Sequence, residues 1–247
     1  MISKKQSKFI KSLKIKKYRD SENAFIVEGR KNVLELVKSD YEIKILVGTQ
    51  MFIDSNPKLS NKNFEVIVSS ESELSQLGTF KSNSECLAVA VKKKNHINLK
   101  NLSGITFLLD DIGDPGNLGT IIRTLDWFGF GNLICSEHCA DLYNPKVINS
   151  SMGSFTRMNV YYTDLAEFIL KSDISVYGAD MNGEELTKTR FTSPAFIVMG
   201  SESNGLSENI RSLLTSAISI SGYGKAESLN VGVATGIICH HLRNINS

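Results

Sequence analysis

The stretch ITFLLDDIGDPGNLGTIIRTLDWFGF (Ile105–Phe130) decides the fold class of this 247-residue chain. A continuous apolar run ends at Asp110, a loop with glycine and proline follows over 113–117, and apolar residues such as Ile121 and Leu125 then recur at helical spacing. This order predicts a buried strand, a tight turn and a helix that packs on the strand. Strands that are apolar throughout are typical of parallel sheets covered on both faces. We therefore expect an α/β fold with a parallel sheet.

Short apolar runs alternate with helical patterns along the rest of the chain. After the opening stretch, we predict strands in NLICS (132–136), ISVYGAD (174–180), AFIVMG (195–200) and AISIS (217–221), and helices near 144–151, from 164, from 207 and over about 228–243. Before it, we predict strands in FIVEG (25–29), IKILVG (43–48), FEVIV (64–68) and CLAVAV (86–91), and helices over 8–18, over 33–37 and, from an S-x-x-E capping signal, over 70–77. The polar segment KKKNHINLKNLSG (92–104) is typical of a linker. We therefore predict two α/β domains, residues 1–97 and residues 98–247.

Composition excludes several classes of protein. With 41% apolar residues, 18 glycines and 4 prolines, the chain has enough apolar mass for a core, which excludes collagen-like and disordered chains. No run approaches the roughly 20 apolar residues that cross a bilayer, and no apolar segment follows the lysine-rich start as it does in a secretory signal. Four cysteines are too few for a disulfide scaffold. We expect a cytoplasmic protein that binds no membrane.

The net charge of +2 conceals an uneven distribution. Residues 1–19 contain eight of the 28 basic residues and no acid, so the remainder holds 20 bases against 26 acids, a balance of −6. A basic arm on a weakly acidic body is typical of a protein that binds a polyanion such as RNA. The alternative is a solvated helix whose Phe9, Ile10 and Leu13 face inward. Composition alone leaves both interpretations open.

Three segments of the second predicted domain carry the candidate chemistry, and the opening stretch is the first of them. Its glycines allow a tight turn around Asn117 where the carboxyl end of a strand meets a ligand, and Arg123 follows on the helix. The alternative for this segment alone is a structural turn followed by a surface arginine.

The other two segments also place polar residues at the ends of strands. In FIVMGSESNGLS (196–207), Glu202 either holds a polar or cationic ligand or caps the helix that follows. In ISISGYGKAESLNVGVATGIICHHL (218–242), Ser228 and Asn230 lie where a helix begins and first-turn N–H groups are free to bind. A purely structural role for Ser228 is that of an N-cap.

Other chemistries lack their motifs. The chain has no G-x-x-x-x-G-K-[ST] phosphate loop and no G-x-S-x-G nucleophile elbow, and GYGKAE (222–227) stops one residue short of a dinucleotide fingerprint. The acids of DDIGD (110–114) are of a type that binds hard metals, but the first two point to opposite sides if the strand continues. The cysteines and histidines at 135–139 and 239–241 lack the paired spacing of a zinc site. We expect no metal.

Taken together, the three segments resemble the SpoU/TrmH family of S-adenosylmethionine-dependent RNA ribose 2′-O-methyltransferases, within the SPOUT class. DPGNLGTIIRT (114–124), VMGSESNGLS (198–207) and ISISGYGKAESLNVGVATGI (218–237) are similar to its three motifs. NSSMGSF (149–155) resembles the connection between the first two motifs. KKYRDSENAFIVEGRKNVLELV (16–37) resembles part of the L30e-like substrate domain of the family's ribosomal-RNA members. The chain departs from the third motif where Ser221 replaces a usual proline and Gly232 a frequent serine.

The resemblance implies a fold, a cofactor and a set of site residues. The fold is a parallel α/β sheet with a deep trefoil knot, a rare exception to unknotted topology, preceded by a small L30e-like α/β domain. Two protomers complete the site as a homodimer. The cofactor is S-adenosylmethionine, with no metal, and its implied contacts are Met199, Gly200, Ile220, Ser221 and Leu229. The implied catalytic residues are Asn117, Arg123, Glu202, Ser228 and Asn230.

The implied reaction is transfer of a methyl group to a ribose 2′-hydroxyl. Ribosomal RNA is favoured over transfer RNA because the first domain resembles that of ribosomal-RNA members. A catalytically silent RNA-binding or ribosome-assembly factor and a different nucleotide-binding α/β enzyme are the alternatives. Arg123 has two candidate roles, a phosphate clamp that lowers the pKa of the hydroxyl or a deprotonated base, and an ordinary arginine stays protonated. We also expect that deleting residues 1–19 weakens RNA binding.

Overall fold

A computed structural model describes residues 2–61, 63–80, 83–97, 99 and 102–245. Two compact units are present. The first consists of residues 1–94 with 141–156, and the second of residues 95–140 with 157–247. The predicted domain limits, 1–97 and 98–247, therefore differ from these units mainly over 141–156. Residues 98, 100 and 101 of the predicted linker lie outside the described residues.

The described elements are numbered in chain order. The strands are β1 (Ala24–Glu28), β2 (Ile43–Gly48), β3 (Glu65–Val68), β4 (Cys86–Val91), β5 (Ile105–Asp110), β6 (Asn132–Cys135), β7 (Asn159–Tyr162), β8 (Ser175–Glu185), β9 (Ala195–Gly200) and β10 (Ser216–Ser219). The α-helices are α1 (Lys4–Ser12), α2 (Lys16–Glu22), α3 (Arg30–Lys38), α4 (Gln50–Asp54), α5 (Glu71–Leu77), α6 (Pro115–Trp127), α7 (Pro145–Ser150), α8 (Leu165–Leu170), α9 (Glu208–Arg211) and α10 (Val231–Ile245). None of the helices in the described part of the chain has both the length and the apolarity that a bilayer crossing needs.

The first unit is built on a four-stranded sheet in the order β1-β4-β2-β3. Only β2 and β3 run parallel, and the other pairs are antiparallel. The predicted capping box is present, since the Ser70 hydroxyl accepts from the Glu73 N–H and the Glu73 carboxylate accepts from the Ser70 N–H. From the 141–156 segment, Phe155 packs edge-on against Phe25 and Tyr41, with ring centroids 6.0 and 5.8 Å apart. Aromatic packing therefore ties that segment to the first unit.

The basic arm is a folded part of the first unit. The single helix predicted over 8–18 is two helices, α1 and α2, with a turn between them. Ile10 and Leu13 are fully buried in the core of the unit, where they pack with Leu74 and Leu77, as the inward-facing alternative predicted. Deletion of residues 1–19 would therefore remove core side chains as well as charge, so it does not isolate RNA binding.

One base of the arm is committed to the interior. Arg19 is 2% exposed and forms an ion pair with Asp141 at 2.7 Å. Its guanidinium also donates to the backbone carbonyls of Leu13 (3.1 Å) and Lys14 (2.9 Å). A buried ion pair whose donor nitrogens are all hydrogen-bonded favours a single arrangement, because separating the two side chains would leave an unpaired charge in the interior. Arg19 therefore contributes to the fold and not to an exposed positive surface.

The second unit contains the predicted parallel sheet, now with six strands. The order is β10-β8-β9-β5-β6-β7, and every neighbouring pair is parallel. The sequence patterns missed β7, and they ended β8 five residues early. The central strands β5 and β9 are in a register that pairs Asp110 with Gly200. Because parallel strands end at the same edge, this register brings the first two candidate segments side by side.

Candidate active site

The three acids of the first loop have three different partners. The Asp110 carboxylate is buried and accepts from the Ser207 N–H at 2.6 Å, at the start of α9. Asp111 lies in the left-handed region at φ 58° and accepts from the Ser136 hydroxyl at 2.7 Å. Asp114 caps α6 by accepting from the Asn117 N–H at 2.8 Å. Each acid therefore accepts from a different part of the second unit, and among the described residues no group of three potential ligands could hold a metal ion.

One amide joins the three candidate segments. The Asn230 Nδ2 donates to Asn117 Oδ1 at 2.9 Å and to Glu202 Oε1 at 2.6 Å. The structure thus brings together three of the five predicted catalytic residues, one from each motif. Glu202 and Asn230 are exposed and Asn117 is half-buried, so the cluster is open to solvent at the carboxyl edge of the sheet.

The same residues cap helix α10, which corrects two expectations. The helix begins at Val231 rather than at Ser228, and Asn230 Oδ1 accepts from the N–H groups of Gly232 (3.0 Å) and Val233 (3.3 Å). Asn230 is therefore the capping residue that was assigned to Ser228. Glu202 caps this helix and not the helix that follows it, since its Oε1 also accepts from the Val231 N–H at 3.3 Å.

The position of Glu202 has an electrostatic reason. Its carboxylate lies at the positive end of α10, where first-turn N–H groups have no partner within the helix. The signal for this arrangement was present in the sequence, because asparagine is as good an N-cap as serine. The partner of Asn230 could not be found by spacing, since Glu202 lies 28 positions away in the chain.

Arg123 and Ser228 are apart from this cluster. Arg123 follows Asn117 by six positions on α6, which at 3.6 residues per turn places it about 120° around the helix axis. Its side chain is exposed, and no described residue forms a hydrogen bond or ion pair with it. Ser228 lies in the exposed stretch 221–230 and likewise has no described partner. Their catalytic roles remain predictions.

The residues expected to contact the cofactor surround the same edge. Met199 is buried at the end of β9, Ile220 is half-buried after β10, and Leu229 is 47% exposed. Gly200 has a structural reason of its own, because a Cβ there would lie 2.3 Å from the backbone carbon of Gly205 in the turn that follows. The apolar side chains of Ile220 and Leu229 suit the faces of an adenine ring, so the residues present fit S-adenosylmethionine.

One of the two departures from the third motif has a local explanation. Ser221 is exposed after β10, where the chain lacks the fixed φ that a proline would give it. At Gly232, a Cβ would lie 3.0 Å from Thr120 Cγ2, so the glycine lets α10 pack closely on α6.

Fold and candidate site together define a protein of two α/β units, the second of which brings three loops together at one edge of a parallel sheet. The SpoU rRNA Methylase family model matches residues 104–240, and the MRM3-like substrate binding domain model matches residues 4–88. The 23S rRNA (guanosine(2553)-2′-O)-methyltransferase RlmP of Bacillus subtilis is 31% identical over 245 residues, which cover 94% of each chain. The chain belongs to the SpoU rRNA methylase family.

Solved structures agree with this assignment. A TrmH-family structure from Porphyromonas gingivalis is 34% identical and superposes with a TM-score of 0.88 over 99% of both chains. An AdoMet-bound rRNA methyltransferase from Sinorhizobium meliloti is 25% identical, with a TM-score of 0.86 over 99% of this chain and 97% of the other. The family, the α/β fold and the enzyme class, an S-adenosylmethionine-dependent RNA ribose 2′-O-methyltransferase, are therefore confirmed.

The cluster predicts a pH-dependent loss of stability in Asn230→Asp. The new carboxylate keeps the cap but lies beside Glu202, and like charges in contact raise the pKa of the pair in the folded state. The folded variant then binds more protons than the unfolded chain, so its stability is highest at low pH and falls as pH rises through the raised pKa. We expect the deficit in the free energy of unfolding to grow by about 1 kcal/mol between about pH 4 and about pH 7 at this exposed site, followed as the difference in melting temperature from the wild type.

The matched control is the double variant Glu202→Gln/Asn230→Asp. Its glutamine removes the like charge and its amide can donate to the new carboxylate, so its deficit should not widen as pH rises. A deficit in Asn230→Asp that is constant from low to neutral pH would contradict the contact between residues 202 and 230.

Proposed function

We propose that this protein transfers the methyl group of S-adenosylmethionine to a ribose 2′-hydroxyl of ribosomal RNA, with 23S rRNA the first candidate. The observation that carries the proposal is the Asn230 amide, which joins Asn117 and Glu202 in one cluster beside the expected cofactor contacts. A catalytically silent factor on this fold would need the bonds that cap α10, but not the additional bond from the Asn230 amide to Asn117. Transfer to ribosomal RNA would occur in the cytoplasm.

The chain's part in the reaction is positioning. S-adenosylmethionine supplies a methyl group already activated on a sulfonium sulfur, so no covalent enzyme intermediate is needed. Ile220 and Leu229 would enclose the adenine, and Met199, Gly200 and Ser221 would line its site. Alignment of the hydroxyl with the methyl group is worth up to about 7–11 kcal/mol in favourable cases, which is enough to account for most of the catalysis.

Arg123 is the proposed phosphate clamp. A protonated guanidinium binds a phosphate through two parallel hydrogen bonds and lowers the pKa of a nearby hydroxyl. Asn117 and Asn230 would orient the ribose, Ser228 would close the loop, and Glu202 would fix the Asn230 amide. Because Arg123 is separate from the cluster in one chain, we propose that it serves the site of a second protomer.

A homodimer through helices α6 and α10 fits this arrangement. Trp127 is 85% exposed at the end of α6, and Val233 (52%) and Ile237 (39%) are one turn apart on α10. Exposed apolar side chains on two packed helices are typical of a surface that another subunit covers. We also propose the deep trefoil knot, with α10 returning from the sheet edge at β10 to pack on α6.

The proposed reaction is tested by incubating the protein with methyl-labelled S-adenosylmethionine and either ribosomal or transfer RNA. We expect label in ribose 2′-O positions of the ribosomal RNA, identified after nuclease digestion. Label only in transfer RNA would support the transfer-RNA alternative. Binding of both ligands without transfer would support a silent factor and contradict the proposed enzyme.

The role of Arg123 predicts the pH–rate profile of Arg123→Lys. A lysine keeps the charge but loses the two-pronged contact, so we expect kcat/KM to fall about 10- to 100-fold at every pH without a change in the shape of the profile. Arg190→Lys, at an exposed arginine elsewhere in the second unit, is the control. Near-normal activity would contradict the clamp, and a profile shifted to lower pH would support a deprotonated base instead.

The exposed lysines of the arm predict the salt dependence of RNA binding. Lys4, Lys8 and Lys11 recur at helical spacing and are exposed on α1. Changing all three to glutamine should weaken RNA binding and reduce the slope of log K against log salt by about 2 to 3, because each lost phosphate contact removes about 0.7–0.9 from it. The core residues of the arm stay in place, so the fold is kept.

A matched triple change elsewhere in the first unit provides the comparison. Lys38, Lys44 and Lys58 are also exposed, and their replacement by glutamine removes the same charge. Equal effects of the two triple variants on affinity and slope would contradict a specific role of the arm.

A further inference from the structure

The first unit contains a cavity that the proposed reaction does not use. It has a volume of about 180 Å³ and lies at the start of helix α3, where Gly29 and Arg30 line it. Its wall also includes Phe80 and Asn83, from the segment that precedes β4, and Asn149 from α7. Three chain segments therefore build it.

Two buried amides, Asn83 in the cavity wall and Asn32 next to the wall residue Asn149, each have one polar atom without a described hydrogen-bond partner. Asn83 lines the cavity and is 7% exposed, yet no described residue accepts a hydrogen bond from its Nδ2. Asn32, at the start of α3 and 3% exposed, donates to the Glu28 carbonyl at 3.1 Å and to Asn149 Oδ1 at 3.5 Å, while its own Oδ1 accepts nothing from the described residues. Buried polar atoms in folded proteins are nearly always paired, so each exception calls for a partner.

The start of α3 adds further donors. Gly29 precedes the helix with φ 86°, and no side chain caps it. The N–H groups of the first turn have no acceptor within a helix. Together with Asn83 Nδ2, these N–H groups are donors for which the helix and its cap supply no acceptor.

Charge decides against a phosphate as the occupant. The Glu28 carboxylate lines the cavity and is itself satisfied by the N–H groups of Thr79 (2.8 and 2.9 Å) and Phe80 (3.2 Å). Glu85 also lines it, 3.8 Å from the Arg30 guanidinium. Two carboxylates against one guanidinium leave the wall negative, which repels an anion. A neutral ligand with both donors and acceptors suits it better.

We propose that this cavity binds one unpaired nucleobase of the RNA substrate. The inference rests on the proposed function, which makes RNA the ligand of this unit. Specific RNA recognition uses unstacked bases, which are held between flat side chains and hydrogen-bonded on their edges. Here Phe80 supplies a flat face, Asn83 Nδ2 a donor, and Asn149 and Glu85 acceptors, while Arg30 is held over the Phe52 ring, 5.5 Å from its centroid. The volume is below the roughly 300–1,000 Å³ of sites for drug-sized ligands, which suits a single base.

The first test replaces the unpaired donor. Asn83→Leu keeps the size of the side chain but removes the amide, so we expect the Kd for in-vitro-transcribed 23S rRNA to rise about tenfold in filter binding. In methyl transfer, the KM for RNA should rise by the same factor, while kcat and the KM for S-adenosylmethionine stay unchanged. The melting temperature of the free protein should not fall, because the amide nitrogen that the substitution removes forms no hydrogen bond with the described residues.

The controls separate this inference from a structural role. Asn63→Leu makes the same exchange at an exposed position outside the cavity and should leave the Kd unchanged. If Asn83→Leu fails to fold, Asn149→Ala at the exposed rim tests the same cavity, with a Kd several-fold higher expected. An unchanged Kd in a folded cavity variant would overturn the proposal, whatever its melting temperature.

Two further measurements separate recognition of a base from recognition of the RNA backbone, and separate this inference from the proposed methyl transfer. A short single-stranded RNA should compete with 23S rRNA for wild-type protein better than the same oligomer without bases, and Asn83→Leu should reduce that difference. Equal competition by the two oligomers would overturn the proposal. Wild-type protein that binds RNA but transfers no methyl group would refute the proposed reaction, and the Kd comparison would still decide the role of the cavity.

Discussion

The pairing of Asp110 with Gly200 is the constraint on which the site depends. It sets β5 and β9 side by side and level at their carboxyl ends, so two loops that lie 90 positions apart in the chain emerge together. A shift of the parallel register would carry every loop residue along the edge and would turn the side chains of a strand to its other face. The buried Asp110 carboxylate reinforces this register, because it accepts from the Ser207 N–H beyond the end of β9.

The third segment is held at this edge by the hydrogen bonds that cap helix α10. Helix α10 starts with N–H groups that require acceptors, and Asn230 and Glu202 provide them. The Asn230 side chain caps the helix through its oxygen and donates from its nitrogen to Asn117 and Glu202. The same side chain therefore caps the helix and joins the three segments of the candidate site. The helix begins at Val231, and the preceding residues 221–230 are exposed at the same edge.

Sequence patterns succeeded where a structure is determined by neighbours in the chain. The runs at 43–48, 86–91 and 195–200 are strands with the predicted limits, because six mainly apolar residues that include β-branched ones are too few for a typical helix and suit a mostly buried strand. Strand β7 was missed because NVYY is short, mixes polar and apolar residues and pairs only with β6. The resemblance supplied the candidate site residues. It could not show that Glu202 caps α10, nor that 141–156 packs with the first unit, since both depend on contacts far apart in the chain.

The basic arm shows why a charge count and a binding surface differ. Arg19 is held by Asp141, and the Lys14 amine donates to the Gly78 carbonyl, so two of the eight bases serve the fold. The exposed Lys4, Lys8 and Lys11 are carried by α1, which is fixed in the core through Ile10 and the following Leu13. Binding of a polyanion to charges that are already held in place costs less conformational entropy than binding to a flexible tail, because the tail would have to become ordered. The inward-facing helix and the RNA-binding arm are therefore compatible, because the buried face holds the charged face in position.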